Sequence, residues 1–120
     1  MNELLCHLFG DYVFQNHAMA LRKTVSTPWA AFHALVYTIP FICITREPAA
    51  ISIIMVTHMI IDRQRLAKYW VRFYGVGQTG WICERFGMKI DDAPVWLATW
   101  LLIIVDNTIH LTINHFALMI

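Results

Sequence analysis

The chain is predicted to be all-α: a polytopic membrane protein with four transmembrane helices and an interfacial amphipathic segment between the third and fourth. Three observations predict this. Hydrophobic residues make up 58% of the 120 and charged residues only 14%, with a mean hydropathy of +0.54. Soluble domains run at roughly 45–50% apolar and about 25% charged. The apolar residues fall into four long runs separated by short polar stretches. The basic residues gather in two of the intervening segments, as membrane loops do.

The first run, Leu4 to Ala20, is interrupted by His7, Asp11, Gln15, Asn16 and His17, and ends at Arg22, Lys23 and Ser26-Thr27-Pro28. The second, Trp29 to Thr45, carries only His33 and Pro40 as exceptions. Proline is tolerated in a membrane helix because neighbouring groups re-satisfy the freed carbonyl. After the turn Arg46-Glu47-Pro48, the third run, Ala49 to Ile61, holds Ser52, Thr57 and His58. The last, Val95 to Ile120, holds Asp106, Asn107, His110, Asn114 and His115. Crossing ~30 Å of hydrocarbon takes about 20 helical residues. The second and fourth runs approach that length; the first and third reach it only if their polar residues face inward.

Residues 63–94 are rich in Arg, Lys, Trp and Tyr, an interfacial composition. Residues 63–74 are expected to continue the third helix as an amphipathic extension. Asp91 or Asp92 followed by Pro94 forms a capping signal for the last helix. Gly75 to Gly80 matches G-x-G-x-x-G. With no preceding strand and no room for a βαβ unit, it reads as a plain glycine turn. The three cysteines, Cys6, Cys43 and Cys83, are widely spaced and give neither a disulfide framework nor a thiolate metal site. The N-terminus lacks a basic n-region and a cleavage site, so no removable signal peptide is expected.

Four spans put loops 21–28 and 63–94 on one side, and these carry eight basic residues against Arg46 alone on the other. The positive-inside rule then places both loops in the cytoplasm and both termini outside it, in a bacterial inner membrane or its equivalent. The whole chain forms a single transmembrane domain, residues 1–120, on this reading. Membrane lipid is the expected partner, with a second copy or another membrane protein as the alternative. Nucleic acid is excluded, because the basic residues sit at headgroup level.

A repeated spacing points to chemistry. His7 and Asp11 stand four apart in the first run, and His58 and Asp62 in the third; Asp106 and His110 show the reverse order in the fourth. The second run offers His33 alone. Residues four apart share one helix face, and ionisable groups in a membrane face the bundle interior. Convergence would bring four imidazoles and three carboxylates together, the ligand set of a divalent cation such as zinc or manganese. Seven ligands suit two bridged ions better than one. Gln15, Asn107 and Asn114 are supporting polar groups, and Asp106 and Asp11 are the candidate catalytic carboxylates. His17 and His115, off these faces and near helix ends, belong to interfaces. By ~1.5 Å of rise per residue, the stripe runs from the cytoplasmic ends of the helices inward, with its mouth toward the cytoplasmic leaflet.

The stretch LLCHLFGDYVFQNHAMA, with His7, Gly10, Asp11, Tyr12 and Gln15, resembles the H-x-x-G-D-[FY]-x-x-Q opening of a family of small phage and bacterial integral membrane proteins. FHALVY, THMIIDRQRL and VDNTIHL resemble its later histidine, H-x-x-x-D and D-[QN]-x-x-H stretches. The resemblance implies roles for His33, His58, Asp62, Asp106, Asn107 and His110. More loosely, the chain is similar to membrane-bound metal-dependent hydrolases. The expected function is therefore metal-dependent hydrolysis of a lipid or lipid-linked phosphate or acyl substrate. Proton or metal-ion transport, and a non-catalytic phage or bacterial membrane interaction factor, are the alternatives. A polar stripe reaching both faces favours transport; a blind, one-sided pocket favours the enzyme.

Overall fold

The apolar runs fold as helices, but the chain cuts them where single residues forbid continuation. The computed structural model describes residues 2–76, 79–88 and 94–120, which are helical with no strand among them. The first run is three pieces. Helix α1 (Asn2–Leu8) passes into a π-helical turn (Phe9–Val13), and α2 (His17–Arg22) starts afresh. Asn16 causes the restart: its extended backbone and its side chain, which accepts from the Met19 N–H at 2.9 Å, make it an N-cap. Helix α3 (Thr27–Thr38) begins with Pro28 in its first turn, where a missing N–H costs nothing. Pro40 then removes a helical donor, and the chain tightens into a 3-10 turn (Ile39–Cys43). Helix α4 (Pro48–Gln64) again opens on a proline.

The expectation that residues 63–74 prolong the third helix is corrected. Arg65 adopts a left-handed conformation, φ 55° and ψ 47°, and separates α4 from α5 (Leu66–Tyr74). Helix α5 ends at Gly75, whose φ of 87° suits a residue without Cβ and whose N–H closes on the Val71 carbonyl at 2.8 Å. A short α6 (Trp81–Arg85) and the long α7 (Val95–Ala117) follow. Asp91 and Asp92, the expected cap of α7, lie outside the described residues, as do Gly77 and Gln78 of the glycine turn.

Among the described residues, α7 is the one helix long and apolar enough to cross a membrane by length and composition. Thr27–Cys43 is apolar but shorter. The helices themselves therefore do not carry the expectation of four complete spans. The physical reason lies in the breaks: Asn16 and Pro40 interrupt helices that composition alone would have run on.

Two compact units result, one of Met1–Gln64 with His110–Ile120 and one of Arg65–Ile109. In the second, Trp70 stacks on Tyr74 and Phe73 on Trp81, with centroids 5.9 and 5.7 Å apart. The first contains the buried polar residues. There α3 packs on α4, and Ala30 and Ala34 on α3 and Ala50 on α4 are fully buried. Small side chains let helix backbones approach closely. Gly10 serves the same end in the π turn, since a Cβ there would fall 2.5 Å from Cδ2 of Tyr37. At one end of this unit, Cys6, Tyr37, Phe41, Ile54 and Ala117 form an apolar cluster.

Candidate metal centre

Position along each element sorts the buried residues into layers. On α4, Ile54, His58 and Asp62 follow one another a turn apart on the buried face. On α3 the same face carries Ala30, His33, Ala34 and Tyr37, and Phe41 follows in the 3-10 turn. Cys6, His7 and Asp11 are buried where α1 becomes the π turn, and His110, Asn114 and Ala117 at the end of α7. Antiparallel packing of α3 and α4 sets Ile54 and Phe41 at the apolar end. His58 and Tyr37 come next, then Asp62 and His33.

The outer layer holds four donor atoms close together. His33 Nε2 lies 3.0 Å from Asp11 Oδ1, 3.0 Å from His58 Nε2 and 3.3 Å from Asp62 Oδ2. His58 Nε2 lies 3.1 Å from Asp62 Oδ2 and 3.5 Å from Asp11 Oδ1. A tetrahedral cation with bonds of 2.0–2.1 Å has ligand–ligand edges of ~3.3–3.4 Å. These five separations bracket that value, and Asp11, His33, His58 and Asp62 offer ligand atoms all within 4.8 Å of one another. All four residues are buried. The Nδ1 atoms of both histidines have no hydrogen-bond partner among the described residues, so Nε2 is the working end of each ring. The Tyr37 ring stacks on His58 at 3.6 Å between centroids and 12° between planes, which fixes the imidazole's orientation.

Lys23 completes this layer. It follows α2, and its ammonium lies 2.8 Å from Asp62 Oδ2, 3.2 Å from His33 Nε2 and 3.5 Å from Asp11 Oδ1. It therefore caps the face made by those three residues. Its side chain is 15% exposed, against 0–8% for the four donors, so that face is the one nearest the exterior. Arg63 holds the α2–α3 turn that carries Lys23, donating to the Thr24 carbonyl at 3.0 Å and reaching Thr27 Oγ1 at 3.4 Å.

The inner layer centres on the Tyr37 hydroxyl. Asn114 Nδ2 donates to the Tyr37 hydroxyl at 2.7 Å, and His7 Nδ1 lies 2.8 Å from the same oxygen. The Tyr37 oxygen thus accepts from Asn114 and shares a hydrogen bond with His7 Nδ1. His7 Nδ1 also lies 3.5 Å from Asp11 Oδ2, and His110 Nε2 lies 3.8 Å from Asp62 Oδ1. The His7 and His110 rings stack with centroids 5.6 Å apart.

Of the seven predicted ligands, Asp11, His33, His58 and Asp62 thus share one set of donor atoms, with His7 and His110 in the layer beneath. Asp106 and Asn107 are half-buried on the part of α7 that belongs to the other unit, four and three residues before His110. Asn114 supports the Tyr37 hydroxyl instead of a ligand. Gln15 is half-buried between the π turn and α2, and its Oε1 is buried without a hydrogen-bond partner among the described residues. His17 and His115 are exposed, and His115 Nδ1 lies 3.2 Å from Glu3 Oε1.

Sequence reasoning missed two residues. Tyr37 had a signal: it stands four after His33, the spacing of the other pairs, so the second run was never a lone histidine. Lys23 had none. Counted with the loop charges, it turns inward, because two buried carboxylates attract an ammonium within reach.

A family model matches residues 1–113, described as "Protein of unknown function (DUF3307)". The chain belongs to the DUF3307 family. The DUF3307 match takes in both layers from His7 to His110 and stops one residue short of Asn114. The family description names no activity. No curated protein and no solved structure matches the chain.

Proposed function

We propose that the protein is a membrane-embedded, metal-dependent hydrolase acting on a lipid or lipid-linked substrate. The observation that carries this reading is the set of four buried donor atoms, two imidazole and two carboxylate, at tetrahedral spacing. Zinc or manganese suits that set. Asp11, His33, His58 and Asp62 would hold such a cation, with Tyr37 orienting His58, and the cation would supply Lewis acidity; activating a water would take a fifth coordination position, for which the face capped by Lys23 is the approach.

Membrane embedding is supported by the distribution of side chains. Leu4, Phe9, Val13, Leu35, Ile42, Val56 and Ile60 are exposed while His7, His33, His58, His110, Asp11 and Asp62 are buried. Water would reverse that arrangement, whereas lipid rewards it. The topology that follows the basic residues keeps the 21–28 turn, and with it the Lys23 face, on the cytoplasmic side.

Hydrolysis is favoured over transport by the apolar cluster of Cys6, Phe41, Ile54 and Ala117 beyond the inner layer. Within this unit the buried polar side chains end against it, which does not suit a polar path running through to that end. The deciding experiment is elemental analysis of the detergent-purified protein, followed by assays against phospholipids, polyprenyl phosphates and acyl lipids with zinc or manganese. About one or two metal ions per chain and turnover of one substrate class are expected. Metal binding without turnover, combined with metal or proton flux in liposomes, would transfer the assignment to transport. Absence of bound metal would leave an interaction protein with a structural polar core.

A further inference from the structure

Helices α5 and α6 form a hairpin that the metal reading does not use. Gly75 ends α5 and Gly80 opens α6, and a Cβ on Gly80 would fall 2.4 Å from the Gly75 amide nitrogen and 2.8 Å from the Arg72 carbonyl oxygen. These two glycines of the G-x-G-x-x-G stretch let the helices close on each other. Phe73 then stacks on Trp81 across the hairpin, and Cys83 Sγ lies 3.6 Å from the Tyr74 carbonyl oxygen.

Residues advance by about 100° around a helix. On α5 that puts Leu66, Trp70, Phe73 and Tyr74 on one side and Lys68 and Arg72 on the opposite side, with Ala67 and Val71 buried between them and Tyr69 at the other border. Trp70 meets both Phe73 and Tyr74, and Phe73 meets Trp81, so the four rings make one continuous patch. They are 48–58% exposed even so. Tryptophan and tyrosine pair an apolar ring with a polar tip, which suits the headgroup level of a bilayer. A protein partner also takes such rings, and charge decides between the two. Lys68 and Arg72 are exposed one turn apart, and among the described residues neither pairs with a carboxylate. Arg65 and Arg85 add to them, and Glu84 is the one acid within residues 65–88. Lys89, Asp91 and Asp92 follow, outside the described residues. Long basic side chains on the polar side of an interfacial helix reach the phosphates while the rings sink below them.

We propose that the α5–α6 hairpin is a docking element for anionic phospholipid, with its aromatic patch at headgroup level and Lys68 and Arg72 gathering anionic headgroups around it. The proposal takes membrane embedding from the reading above and is independent of the metal and of the substrate. The proposed topology puts this hairpin at the cytoplasmic leaflet, whose surface is anionic.

The test uses the full chain in phosphatidylcholine nanodiscs, with Trp29, Trp96 and Trp100 replaced by Phe so that Trp70 and Trp81 are the remaining tryptophans. Phosphatidylglycerol or phosphatidylcholine, brominated on acyl carbons near the headgroup, is added as a minor component, and quenching is read against its mole fraction. Both lipids are expected to quench. Phosphatidylglycerol should reach half-quenching at about fivefold lower mole fraction, the weight of one basic side chain near an anionic surface. That preference should fade at about 1 M salt, where the screening length is about 3 Å. Lys68→Gln with Arg72→Gln should bring the two lipids to parity and leave quenching by phosphatidylcholine unchanged, whereas Lys68→Arg should keep the preference. Equal quenching by the two lipids in the native hairpin, or a preference that survives the double variant, overturns the proposal. Quenching by neither lipid also overturns it, and acrylamide then separates a face open to water from one covered by a second copy or another protein. None of these results touches the metal centre, whereas a chain that does not enter the nanodiscs overturns the membrane reading as well.

Discussion

The outer and inner layers of the buried cluster are made of the same kinds of residue and do different things. In the outer layer, Asp11, His33, His58 and Asp62 turn donor atoms toward one another at 3.0–3.5 Å, with Lys23 above them. In the inner layer, His7 and Asn114 meet on one tyrosine hydroxyl, with a carboxylate oxygen of Asp11 standing 3.5 Å from His7 Nδ1. A histidine is thus not a ligand by virtue of being buried. His33 and His58 direct Nε2 to two carboxylates, while His7 is engaged at Nδ1 by Tyr37. The difference teaches that carboxylate sharing, more than histidine count, marks the cluster that could hold a cation.

That contrast can be broken by experiment. Asp62→Ala should have the largest effect. It removes a donor and leaves Lys23 facing one carboxylate fewer, a change that costs about 3–5 kcal/mol when a buried pair is broken. Elemental analysis should find the metal gone. The double variant Asp62→Asn with Lys23→Met relieves the unpaired charge and should regain stability without regaining metal.

Next comes Gly10→Ala. Its Cβ would meet the Tyr37 ring at 2.5 Å and the Tyr37 carbonyl oxygen at 3.0 Å. Overpacking of this kind costs about 1–3 kcal/mol, which should appear as a lower unfolding temperature in detergent. A melting temperature equal to that of the native protein would mean the π turn does not sit against Tyr37 as described.

Tyr37→Phe sharpens the comparison most directly. It deletes the hydroxyl shared by His7 and Asn114 but keeps the ring that stacks on His58. Stability should fall by about 1–3 kcal/mol, the cost of buried groups left unsatisfied, while metal content is unchanged. If Tyr37→Phe strips the metal as Asp62→Ala does, the two layers are one site. The smallest effect lies outside both: Arg65→Gly should stabilise by up to about 1 kcal/mol, by relieving the left-handed backbone between α4 and α5. Chemical denaturation would measure it.

Much of the cluster was legible in spacing. Four-residue intervals put His7 with Asp11 and His58 with Asp62, and the same interval from His33 reaches Tyr37. The glycine of H-x-x-G-D has its reason in the close approach of Tyr37. The helix breaks were less legible, because Asn16 and Pro40 act through one hydrogen bond each within runs that are apolar overall. The left-handed Arg65 carries no signature that glycine or asparagine would have left.

The sequence by itself determined an all-α chain in which His7, Asp11, His33, His58, Asp62 and His110 face inward, because helical period and the cost of exposing polar groups to an apolar surrounding both depend on order and residue type alone. Only the tertiary structure decided that two carboxylates share two imidazoles, that His7 serves a tyrosine, and that Lys23 leaves the loop charges to cap the cluster. Those outcomes turn on how far α3 and α4 slide and rotate against each other and against the π turn. Shifts of an ångström there reassign every partner, and no periodicity in the chain encodes them.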